Sequence, residues 1–176
     1  DITRTGTTGG GTAAAALTTI TANASDAADI TVSAITATGA SLTSITANAL
    51  TSGSVITFSD IVASSANSIT ATAVSGATVD FGSDIDIATV GTITLSGAGT
   101  FRMDDASNGI TSVESINASG VTGTVNIALL AGTTTGPVVA TLGSGADTFV
   151  GGDGADIITA GNGADVITPG AGADSI

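Results

Sequence analysis

The sequence predicts an all-β protein, a parallel right-handed β-solenoid with coils of about 24 residues. Three observations lead there. A short segment recurs at nearly constant spacing along most of the chain. Each copy alternates β-branched residues with small polar ones, the period-2 pattern of a strand. The load of Thr, Ser, Val, Ile and Gly is too heavy for stable helical windows.

The strongest recurring segments are near-copies of one another. They are Leu17-Thr-Thr-Ile-Thr-Ala-Asn-Ala24, Leu42-Thr-Ser-Ile-Thr-Ala-Asn-Ala49 and Ala66-Asn-Ser-Ile-Thr-Ala-Thr-Ala73. Weaker copies follow at Val90–Gly97 and Val113–Gly120. Their anchors Ile20, Ile45, Ile69, Ile93 and Ile116 are spaced by 25, 24, 24 and 23 residues. Each unit holds a second alternating run: Asp29–Val32, Ser54–Phe58, Thr78–Phe81, Thr100–Met103 and Thr124–Ile127. One such unit cannot bury its own apolar face, but a stack of them can. Stacked coils would bring successive anchors about 4.8 Å apart in an inward ladder. The expected coils are 17–41, 42–65, 66–89, 90–112 and 113–136, with 1–16 a linker or partial coil. Parallel crossovers favour right-handed winding. Alanine two residues after the anchor (Ala22, Ala47, Ala71, Ala118) suits a thin interior.

From residue 142 the period changes to nine. The segments are Leu142–Val150, Gly151–Thr159, Ala160–Thr168 and Pro169–Ile176. Asp recurs at 147, 156, 165 and 174, and a large apolar residue at Phe149, Ile158, Ile167 and Ile176. Glycine permits the left-handed backbone angles that turn carbonyls toward one point. A donor set of oxygens alone, with a carboxylate at each turn, suits a hard cation such as Ca²⁺ better than Mg²⁺, which demands a tight octahedron.

This run resembles the glycine-rich nonapeptide repeat of RTX proteins, Gly-Gly-x-Gly-x-Asp-x-apolar-x. The resemblance implies that residues 137–176 form a calcium-binding β-roll in which repeat n stacks on repeat n+2. Each ion would take positions two, four and six of one turn and positions one, three and six of the next. One site would then use Gly143, Gly145 and Asp147 with Ala160, Asn162 and Asp165. The other would use Gly152, Gly154 and Asp156 with Pro169, Ala171 and Asp174. All but the aspartates would act through backbone carbonyls.

Composition excludes other chemistries. With no His and no Cys, a Ser-His-Asp triad, a thiol nucleophile and a His/Cys zinc site cannot form within the chain. The net charge is −13, and Arg4 and Arg102 are the only basic residues. That balance leaves no phosphate-tracking surface for nucleic acid and disfavours anionic membranes. No apolar run approaches the roughly 18 residues that span a bilayer. Glu114 is the only glutamate, and no carboxylate-flanked cleft of the glycosidase kind is inferred. No enzymatic activity is therefore expected.

Asp60 and Asp84, with Asn108, and Asp80 and Asp104, beside Asp86 and Asp105, fall at matching coil positions; a solvated acidic edge is expected there rather than extra metal sites. Ser and Thr flank the anchors at Thr19/Thr21, Ser44/Thr46, Ser68/Thr70 and Thr92/Thr94, and Ser115/Asn117 ends the series. Such a face resembles that of solenoid ice-binding proteins, but Ser replaces Thr in three of the five coils, so good β-formers at ordinary outward positions are the expected reading. Arg4 and Arg102 are expected as surface partners of acids and Met103 as core.

The whole resembles bacterial surface-layer and giant surface proteins, which pair Thr/Ala/Ser-rich strand repeats with RTX modules. That implies a structural, extracellular, cell-surface segment that self-assembles with other copies. It would be secreted by a type I route and folded outside by calcium. The alternatives are an adhesin or ice-binding stalk, and the accessory RTX region of a secreted enzyme. The chain begins at Asp1 and stops in mid-pattern at Ile176, so it is expected to be part of something longer.

Overall fold

A computed structural model describes residues 2–5, 17–33, 35–82, 85–104, 109–129 and 134–176. Among the described residues every regular element is a strand: β1 (Ile2–Thr5), β2 (Thr19–Ala24), β3 (Asp29–Val32), β4 (Ile35–Ala49), β5 (Val55–Phe58), β6 (Ile61–Ala73), β7 (Thr78–Phe81), β8 (Ile85–Gly97), β9 (Thr100–Met103), β10 (Ser112–Val121), β11 (Val125–Ala128), β12 (Val139–Thr141), β13 (Thr148–Val150), β14 (Ile157–Thr159) and β15 (Val166–Thr168). The even-numbered strands form one sheet in sequence order, with β1 at its edge, and the odd-numbered strands from β3 to β15 form a second. Every pairing is parallel except β1 with β2, which is antiparallel. The chain crosses from one sheet to the other on each half-coil, as a β-solenoid requires.

The anchors set the register. Ile20 pairs with Ile45, Ile45 with Ile69, Ile69 with Ile93 and Ile93 with Ile116, and the ladder continues through Ala140 to Ile158. All of them are buried. Opposite them stand the rows Ile56–Val79–Phe101–Val125 and Met103–Ile127–Phe149–Ile167. The rings of Phe58 and Phe81 stack at 5.1 Å and 12°. Each isoleucine removed from water stabilises the stack by roughly 1.5–3 kcal/mol. Ala22, Ala47 and Ala71 form one fully buried row, and Leu95 takes their place in the next coil. Met103 is core, as expected.

The strands of the first sheet are longer than the sequence suggests. Ile35–Ala37, Ile61–Ala63 and Ile85–Ile87 form a third ladder that runs on into the anchor strands. A register shift between Ala37 and Ser41 interrupts the regular pairing of β4 between this ladder and the anchor segment. The hydroxyl residues do line up: Thr19–Ser44–Ser68–Thr92–Ser115 and Thr21–Thr46–Thr70–Thr94–Asn117 are continuous outward rows. The first row then turns apolar at Val139 and Ile157, both about half exposed. Beside them, the amide of Asn48 donates to Asn23 at 2.7 Å, and the Thr72 and Ser96 hydroxyls bond at 3.2 Å.

One matching of acids fails. Asp80 stands beside Arg102, not Asp104. Thr78 pairs with Thr100 while Ile69 pairs with Ile93, so the link between the sheets is two residues shorter in the later coil. Arg102 instead reaches forward to Asp104 at 3.4 Å, and Asp104 also accepts from the Asn126 amide at 2.5 Å. Asp60 lies exposed in the left-handed region, φ 51°, and its carbonyl accepts from Ile35 N–H at 3.0 Å. Asp84, Asp105 and Asn108 lie outside the described residues, as does the side chain of Arg4.

Candidate metal centre

In the last third of the chain the step between stacked positions shortens to eighteen residues. Val139 pairs with Ile157, Thr148 with Val166, and Ile157 bridges to Ser175. Two nonapeptides therefore make one coil, and repeat n lies under repeat n+2. Asp147 comes to lie below Asp165, and Asp156 below Asp174. Each upper carboxylate is tied to the lower turn. Asp165 Oδ1 accepts from the Asp147 N–H, and Asp174 Oδ1 from the Asp156 N–H, both at 2.9 Å.

The glycines between them allow this approach. The carbonyl oxygens of Gly143, Gly145, Gly152 and Gly154 face the α-carbons of Gly161, Gly163, Gly170 and Gly172 so closely that any side chain there would collide. Those four upper glycines all hold positive φ, between 87° and 131°, which L side chains rarely adopt. The Gly143 carbonyl also accepts from Asn162 N–H at 3.2 Å, and the Gly152 carbonyl from Ala171 N–H at 3.0 Å.

The two lower aspartates differ from the upper two. Asp147 and Asp156 are each only 1% exposed, whereas Asp165 and Asp174 are half-buried. Asp147 Oδ1 accepts from Val125 N–H at 2.9 Å, and its Oδ2 from Gly143 N–H at 3.1 Å. Burial pushes the Asp147 carboxyl above the ordinary carboxylate value, the two amides pull it back, and neighbouring Asp165 raises it further. Asp156 Oδ1 accepts from Val138 N–H at 2.9 Å. Its Oδ2 is buried with no hydrogen-bond partner.

That orphaned oxygen tests whether an ion fits. A Cβ added to Gly151 would stand 2.7 Å from Asp156 Oδ2 and would collide with the Pro169 carbonyl oxygen. Two of the six oxygens expected at the second site thus converge on one small space. An unpaired buried carboxylate oxygen is costly, and a cation bound there would remove that cost. Among the described residues no three acidic side chains cluster, so most of the ligands must be backbone carbonyls. Such an all-oxygen donor set is the preference of a hard cation.

Residues 141–176 match the family model of the RTX calcium-binding nonapeptide repeat, in four copies. The RTX repeats bind calcium ions. Neither the curated proteins nor the solved structures give a match.

Beneath the RTX segment lies an underlay that sequence reasoning missed. Gly152, Gly154 and Asp156 sit over Thr134, Gly136 and Val138, with the same eighteen-residue step. Gly143, Gly145 and Asp147 sit likewise over Val121, Gly123 and Val125. Glycine recurs there, but valine stands where the repeat has aspartate. Counting eighteen back from Gly154 to Gly136 would have found the first of these turns. The second is offset by twenty-two, and no fixed period reveals it.

Proposed function

We propose that the chain is a structural segment of a secreted, calcium-stabilised cell-surface protein of the surface-layer kind, which assembles with further copies of itself. The observation that carries this reading is the continuity of both sheets. The ladder from Ile20 to Ile116 passes without a break through Ala140 to Ile158, so calcium-binding turns and metal-free coils form one stack. RTX repeat proteins are typically secreted, and a β-solenoid carrying such repeats is a structural calcium-binding fold. Calcium takes the place of disulfides in a chain that has no Cys. No helix among the described residues is long and apolar enough to cross a membrane.

The test is assembly. The chain is followed by sedimentation velocity and negative-stain electron microscopy in millimolar calcium and after calcium removal. Calcium-dependent ordered arrays or filaments support the reading. A monomer at every calcium concentration and protein concentration opposes it. The in-register hydroxyl rows favour a second reading, an ice-binding or adhesive stalk, for which thermal hysteresis is the measurement.

A further inference from the structure

We propose that residues 113–129 and 134–141 are a metal-free template that seats the first RTX coil, residues 142–159, so that calcium is needed to order only the second coil, residues 160–176. The inference rests on the calcium-binding reading of the RTX segment and divides that segment in two.

Three observations point to the division. First, the carboxylates of the first coil bond downward to an apolar layer. Asp147 and Asp156 accept the amides of Val125 and Val138, and both valines are fully buried. Valine carries no charge, so nothing beneath the first coil repels its aspartates, and no pair of acids there requires a cation. Second, facing pairs of aspartates arise only between the first coil and the second, at Asp147 with Asp165 and Asp156 with Asp174. Without an ion, those pairs oppose the docking of the second coil alone. Third, Leu142, Phe149 and Ile158 of the first coil are buried, with Phe149 over Ile127 and Ile158 over Ala140, so the first coil has an apolar reason to stay docked.

The orphaned Oδ2 of Asp156 fits this division, because it faces Gly151 and the Pro169 carbonyl of the second coil rather than the template. Calcium thus acts at the joint between the two coils. The solenoid below supplies the register before any ion arrives.

Hydrogen exchange with peptide resolution, on the full 176-residue chain with and without calcium, decides the matter. On calcium removal, protection in 160–176 is expected to fall by more than about tenfold, while 142–159 stays protected. Loss of protection in both coils together would overturn the template, because all four repeats would then be one calcium unit. So would loss of protection across 17–129. If no peptide responds to calcium at all, it is the calcium reading itself that fails. A D165N/D174N variant gives a second readout. Asparagine keeps an oxygen that accepts the amides of Asp147 and Asp156 but removes the charge. With one charge of each facing pair gone and one ionic ligand lost from each site, 142–159 should stay protected and protection of 160–176 should no longer respond to calcium; opening of 142–159, or an undiminished calcium response in 160–176, would count against the proposal.

Discussion

The Oδ1 of Asp165 accepts the backbone N–H of Asp147, 2.9 Å away and eighteen residues earlier in the chain. One carboxylate thus does two jobs: it holds the turn below through an amide, and it offers charge to a cation. The two can be separated. Replacing Asp165 by Asn should keep the amide bond and weaken calcium binding, by roughly tenfold or more for a lost ionic ligand. Replacing it by Ala should also remove the bond, worth about 1.5–3 kcal/mol when the acceptor is charged. Calorimetric titration and thermal melts in calcium, run on both variants, check this. Equal melting points for Asn and Ala would show that the amide bond contributes nothing.

The solenoid should melt independently of the ion. Ile69 lies in the middle of its ladder, between Ile45 and Ile93, and is fully buried. Replacing it by Ala leaves a cavity that the flanking coils cannot fill, at a cost of about 2–5 kcal/mol. The loss should be the same with and without calcium. A loss seen only in calcium-free protein would mean that the coils and the RTX segment are not separable in stability. The same interior is intolerant of added volume. Ala47→Leu, between Ala22 and Ala71, should cost about 1–3 kcal/mol, although Leu95 fits the same row two coils on.

How much of this was legible in the sequence follows from where the repeat is strict. The Ile anchors keep nearly constant spacing because each must cover the one before it, so the ladder and both sheets could be read directly. The eighteen-residue stacking of the RTX turns was legible through the resemblance to the RTX repeat, which implies that repeat n stacks on repeat n+2. Links between the sheets face solvent, and their length drifts from coil to coil. That drift set Asp80 beside Arg102 rather than Asp104. The third ladder, Ile35–Ala37 with Ile61–Ala63 and Ile85–Ile87, was hidden because each run is only three residues long. The valine underlay was hidden because it lacks the aspartate by which the repeat is recognised. That underlay supplies the Val125 and Val138 amides that Asp147 and Asp156 accept, so those bonds could not be foreseen.

Glycine substitutions should separate turns that need a bare backbone from those that do not. Gly170 holds φ 102°, and its α-carbon abuts the Gly152 carbonyl oxygen. Gly170→Ala should therefore strain the turn and push apart the carbonyls that face the ion, lowering calcium affinity. Gly82 lies in ordinary backbone, and an added methyl would meet the Phe58 carbonyl oxygen at 3.4 Å, a normal contact. Gly82→Ala should be neutral, or stabilising by up to about 1 kcal/mol through the unfolded chain. Terbium luminescence for the first variant and thermal melts for both would show it. Undiminished affinity in Gly170→Ala would mean that the turn relaxes without disturbing the site.

Acidification should act in opposite directions on the calcium-free and calcium-loaded protein. In the folded chain burial raises the Asp147 carboxyl above 3.8, its ordinary value. At neutral pH the group is charged in both folded and unfolded chains, and the folded chain carries the cost of that buried charge. As the pH falls through the raised value, the folded chain takes up a proton before the unfolded one does. Its stability therefore rises, and the gain is complete below 3.8. With calcium present, protons compete for the same carboxylates, so the stabilisation that calcium adds should shrink over that range. Melting temperatures from pH 7 to pH 4, in calcium-stripped buffer and in millimolar calcium, should converge. Relief of the overall negative charge also favours the acid side, so Asp147→Asn is the control. It should flatten the rise in the calcium-free series, and an unchanged slope would show that Asp147 is not the group responsible.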